Sequence, residues 1–165
     1  MTFAPRSWAV GETVTAAMLN QEIKAQFDSM FDTWTTYTPT WTAATTNPVL
    51  GNGSLAGQYI KWGRTCTVTV YLTTGSTTTY GSGAYQISLP FQAASANVSY
   101  LGAARLGGTA IWLGHAVVPT GDTKATITFD TSATNTRGTN WSGTVPETIA
   151  AGATFRFSLT YQTAS

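Results

Sequence analysis

Few side chains in this chain are equipped for acid–base, nucleophilic or metal chemistry. His115 is the sole histidine and Cys66 the sole cysteine, so a histidine-rich zinc site cannot form and no internal disulfide is possible. A structural role in a core or interface is expected for His115, and a place as a small core hydrophobe for Cys66. No serine stands in a G-x-S-x-G elbow, and no signature supports a cysteine–histidine pair. Glycan hydrolysis needs two carboxylates a fixed distance apart; beyond residue 35 only Asp122, Asp130 and Glu147 are available. All three stand in turn or strand-end settings that capping explains. Asp28 and Asp32, one helical turn apart with Lys24 before them, fit a solvated face. No catalytic residue, cofactor or metal is expected, and the low carboxylate count weighs against a multi-ligand calcium site.

Sugar binding without hydrolysis asks less: an aromatic ring to stack on a sugar face, with amides and hydroxyls beside it. Tyr80 in the 73–85 loop, and Asn135, Arg137, Asn140 and Trp141 in the 131–146 loop, supply that chemistry. Long loops without secondary structure are often functional, so these two are expected to form the ligand-facing surface. Trp141 has an equal alternative, which is to pack its own loop onto the domain.

The elements that would position these loops are legible from periodicity. From Thr65 to Leu72, Cys66, Val68, Val70 and Leu72 alternate with Thr65, Thr67, Thr69 and Tyr71, the period of a half-buried strand. Gly63 and Arg64 before it suit a hairpin turn to a strand over 57–62. Ala125, Ile127 and Phe129, and then Phe155, Phe157, Leu159 and Tyr161, repeat the alternation. Further strands are expected over 36–42, 84–89, 98–106 and 109–118, with a weaker candidate near 141–149. Short strands separated by glycine-rich turns predict a mainly β fold, an antiparallel β-sandwich of jelly-roll type over 35–165. The 109–118 strand is apolar at both parities, so either a loop shields its second face or another subunit covers it.

Ahead of the strands, Thr15 is a candidate N-cap for a helix reaching Trp34. Ile23, Phe27, Met30 and Trp34 recur at steps of three and four with Asn20 in the same seam, a stripe that must pack on its own domain or on copies of itself. The chain has 165 residues, of which 42% are hydrophobic and 9% charged, against about a quarter charged in ordinary domains. Roughly one residue in five is threonine, which favours strands with one wet face. The net charge of +1 gives no pull toward nucleic acid. A basic start followed by an apolar run is absent, as is any long apolar stretch, so neither secretion nor membrane insertion is expected.

Two stretches carry a resemblance. The run TPTWTAATTNPVLGNGSLAGQYIKWGRT, continued by LTTGSTTTYGSGAYQISLPF, is similar to the β domain that ends many short fibre-like or minor tail proteins of phages infecting actinobacteria. SWAVGETVTAAMLNQEI resembles the attachment segment at the start of such proteins. The resemblance implies a virion protein assembled in the host cytoplasm, with no enzymatic activity. Residues 1–14 would attach to other virion proteins around Trp8 and Gly11, and 15–34 would be a trimerising helix. The homotrimer would be held by Ile23, Phe27, Met30 and Trp34, with Trp112 contributing from the doubly apolar strand. The β domain would contact a bacterial cell-surface glycan or protein receptor through Tyr80, Asn135, Arg137, Asn140 and Trp141. A trimeric capsid fibre or decoration protein is the alternative, and a carbohydrate-active enzyme a more distant one.

Overall fold

The computed structural model describes residues 7–130 and 138–164. After a turn at Val10 and Gly11, a helical segment runs as α1 (Ala16–Leu19), a π-helical turn (Asn20–Lys24) and α2 (Ala25–Phe31). The Thr15 hydroxyl caps it, accepting from the Met18 N–H at 3.3 Å. The helix stops at Phe31, so Trp34 lies beyond it in the link to the sheet.

The strands are β1 (Thr35–Tyr37), β2 (Trp41–Ala43), β3 (Ser54–Trp62), β4 (Thr65–Thr73), β5 (Tyr85–Ser88), β6 (Tyr100–Gly107), β7 (Ile111–Val118), β8 (Lys124–Asp130), β9 (Gly138–Asn140) and β10 (Thr154–Gln162). They form one antiparallel sheet in the order β1-β3-β4-β10-β6-β7-β8-β5-β2, with β9 on β8. The mainly β, antiparallel character expected of the chain is observed, as a single hydrogen-bonded ladder that curls. Only Thr38, Pro39 and Thr40 carry the chain from β1 at one edge to β2 at the other, a reach of at most ~14 Å. There the Tyr37 hydroxyl donates to the Ser88 carbonyl at 3.2 Å, and the Thr40 N–H to the Ser88 hydroxyl at 2.8 Å. The expected 36–42 strand is split at this crossing, where Pro39 has no N–H to give a ladder.

The β3–β4 hairpin turns at Gly63 and Arg64 as its sequence predicts, with Gly63 at φ +56°. Alternation then decides burial: Cys66, Val68, Val70 and Leu72 face the core, as do Ala125, Ile127 and Phe129 and the aromatic face of β10. β10 lies in the middle, hydrogen-bonded to β4 and β6. The 141–149 segment is not a strand; within it only Ser142 and Val145 bridge.

Rings from distant parts of the chain fill the curl. Trp141 stacks on Phe155 of β10 at 4.0 Å and on Trp41 of β2 at 5.9 Å, and meets Tyr85 of β5 edge-on at 4.9 Å. β10 and β2 are far apart in the ladder, so one indole touching both requires the sheet to bend back on itself.

Candidate functional site

Of the loop residues expected to meet a ligand, Tyr80, Asn140 and Trp141 are described, and their settings differ. Trp141 is only 1% exposed, so the alternative in which it packs its loop down is the one observed. Its backbone explains the burial: the Trp141 N–H donates to Ile127 of β8 and its carbonyl accepts from Tyr85 of β5, both at 2.8 Å, which turns the indole into the core. Tyr80 is half-buried, and its carbonyl accepts from the Tyr85 hydroxyl. Asn140 is exposed on β9, opposite Thr128. Asn135 and Arg137 lie outside the described residues. The 73–85 loop is tied to the turn before β3, with Asn52 accepting from the Thr77 N–H at 3.0 Å and donating to the Ser76 hydroxyl at 3.1 Å.

Two of the three candidate carboxylates, Asp122 and Glu147, are held in place by their neighbours. Asp122 accepts from the N–H groups of Thr123 and Lys124, a turn cap. Glu147 accepts from the Thr109 N–H at 2.8 Å, the Thr109 hydroxyl, the Ala110 N–H at 3.3 Å and the Trp112 indole N–H at 3.0 Å. Partial desolvation opposes its charge, but the hydroxyl, indole and backbone donors outweigh it and hold the carboxyl below its ordinary value. Beside Glu147 lies a cleft of about 200 Å³ lined by Gly108, Thr109 and 150–153. A carboxylate so committed is a clamp between the 141–149 segment and the β6–β7 turn.

Trp112, expected at a subunit contact, sits on the inward side of β7, partly buried, with its indole bonded to Glu147 and its ring against the core. The exposed apolar side chains of β7 are Ile111 and Leu113, 65% and 70% exposed. His115 shares their outward face, between Ala103 of β6 and Thr128 of β8, and is not in the core. Cys66 is fully buried, and burial pushes its thiol up to about 11. Among the described residues no three of His, Cys, Asp and Glu come together as a metal site would need. Among the described residues no helix is long and apolar enough to cross a membrane.

The amino-terminal residues are more open. Trp8 is exposed, and Gly11 takes φ +83° in a turn where the Glu12 N–H donates to the Ala9 carbonyl. Along the helix Ile23, Phe27 and Met30 are all about half-exposed, as is Trp34 beyond it. α2 touches β3, yet the apolar stripe is not buried by the chain's own domain.

With that geometry in place, comparison with known proteins gives one informative match. The resemblance is to a tail fibre. The chain is 45% identical over 58 residues to the Mu-like prophage FluMu defective tail fiber protein of Haemophilus influenzae. The matched stretch is 35% of this chain and 9% of that protein, so the chain spans only a small part of its relative. The organism is not an actinobacterium, and the host group implied by the sequence resemblance is not supported. No family model matches the chain, and no solved structure matches it.

Two residues on the outward face were missed in the loop-centred reading: Arg105 of β6 and Arg156 of β10, which stand directly opposite each other. Alternation along 154–162 already puts Arg156 on the wet face. What brings Arg105 beside it is the β6–β10 register, which no local pattern carries.

Proposed function

We propose that this chain is a structural protein of a phage tail, of the short-fibre type, that assembles as a homotrimer, grips other virion proteins through its amino-terminal segment and meets the host surface with its β domain. The observation that carries the reading is the 58-residue match to a tail fiber protein at 45% identity. The curled, threonine-rich sheet is consistent with it, since polar hydroxyls keep a nearly uncharged surface wet. Self-association is assigned to Ile23, Phe27 and Met30, with Trp34 continuing the stripe, because an amphipathic helix this short is marginal alone and its apolar seam is open. Attachment is assigned to the region of Trp8 and Gly11. Supporting a role without catalysis, Glu147 is committed to structural hydrogen bonds and Asp122 to its turn. The test is immunogold labelling of particles of the phage that encodes the chain, using antibodies against the β domain. Gold on the tail tip is expected; gold on the capsid would favour the decoration reading, and unlabelled particles would overturn both.

A further inference from the structure

The central strands leave an apolar surface open on the side of the sheet that faces away from the core. Register places Arg105 of β6 opposite Leu113 of β7 and Gly107 opposite Ile111, with Leu101 further along the same face of β6. Leu101, Ile111 and Leu113 are all exposed. Beside them runs a groove of about 280 Å³ bordered by Thr69, Ala103, Arg105, Leu113, Arg156 and Ser158, with walls that are almost entirely apolar. Contiguous apolar surface of this kind marks contact with a partner.

Charge selects the partner. β4, β10, β6 and β7 contain no aspartate or glutamate, and their only lysine or arginine side chains are Arg105 and Arg156. The amino-terminal segment has the opposite sign: four of the chain's seven carboxylates, Glu12, Glu22, Asp28 and Asp32, lie within residues 12–32, against the single Lys24. It is also the other open apolar surface. Ile23, Phe27 and Met30 are exposed, whereas Met18, Glu22 and Ala25 are half-buried. α2 meets its own domain at β3, with β4 and β10 between it and β6, so the stripe leaves the groove of its own copy uncovered. The dimensions agree. The helical segment from Ala16 to Phe31 spans ~24 Å, and strands of eight or nine residues run ~27–30 Å, long enough to receive it along its whole length.

We propose that the helical segment of a second copy of this chain lies on this face, with Ile23, Phe27 and Met30 against Leu101, Ile111 and Leu113 and its acidic side chains toward Arg105 and Arg156. The inference rests on the proposed self-association and names the surface that receives the stripe. Two unlike patches make a heterologous contact, which forms a ring where the rotation closes; three copies passing helix to sheet make a trimer with no helix-to-helix seam. Three acidic segments packed on one another repel, whereas each one set on an arginine-bearing face is attracted.

The test is light scattering on the full chain and on its Phe27→Asp and Leu113→Asp variants, first separately and then mixed. Each variant alone is expected to be a monomer with the wild-type strand signal in the far ultraviolet. Mixed, the two regain the mass of a pair, because the Phe27→Asp copy still offers its sheet and the Leu113→Asp copy its helix. A helix-to-helix seam gives no such recovery. Leu101→Asp, on the neighbouring strand, repeats the measurement independently of Leu113. Arg105→Glu/Arg156→Glu is expected to assemble only at concentrations at least about tenfold higher than wild type, a gap that narrows as salt rises. Leu113→Asp and Leu101→Asp proteins that stay trimeric, a mixture that stays monomeric, or an arginine variant that assembles like wild type would each overturn this contact and leave self-association standing. A monomeric wild type would overturn both.

Discussion

Glu147 does at the scale of one residue what a longer loop would need several contacts to do: a single carboxylate collects the donors of the β6–β7 turn and pins the 141–149 segment against it. Its carboxyl is held below the unfolded value, so its contribution is fully present above about pH 4 and fades as pH falls through the lower folded value. Glu147→Gln is expected to lose about 1–2 kcal/mol at neutral pH. Thermal melts from pH 7 downward should show the two proteins converging in acid; a gap independent of pH would contradict the account. Trp141 belongs to the same scale. Trp141→Ala empties the space between Phe155, Trp41 and Tyr85 and should cost about 3–5 kcal/mol, read as a large drop in melting temperature. An unchanged melt would mean the ring is not the centre of the curl.

At the scale of elements, the close approach of β1 to β3 depends on one position. A Cβ on Gly57 would stand 2.3 Å from the Tyr37 ring and 2.8 Å from Pro39, so Gly57→Ala is expected to cost about 1–3 kcal/mol and to speed hydrogen exchange of β1 before that of β4. Equal exchange in the two variants would show that the edge strand tolerates the methyl group. Elements with clean alternation, such as β4, β8 and β10, were legible because one polar and one apolar face admit a single orientation. β7 was not. Its residues are apolar at both parities, and the inward choice of Trp112 over Leu113 is made by pairing with Leu106 and Arg105, which lie in another strand. For Trp141 the local sequence allows either fate; what buries it is a pair of backbone hydrogen bonds to Ile127 and Tyr85. The opposition of Arg105 and Arg156 was hidden for the same reason, because only strand register sets them across from each other.

For the whole molecule, the proposed trimer rests on the helix. The exposed seam of Ile23, Phe27 and Met30 predicts that Phe27→Asp lowers the mass seen by light scattering from trimer to monomer, with the far-ultraviolet strand signal retained. An unchanged mass would remove the helix from the assembly. The strand order carries a further consequence, one of timing. β10 joins β4 to β6, yet it follows every other strand along the chain. During synthesis the β3–β4 hairpin and the β6–β7–β8 meander therefore emerge as separate pieces, each ending in a bare edge, and wait for the strand that unites them. Non-local pairing of this kind folds slowly and leaves edges open to wrong partners, so until β10 is made the edges of β4 and β6 are exposed to pairing with another copy.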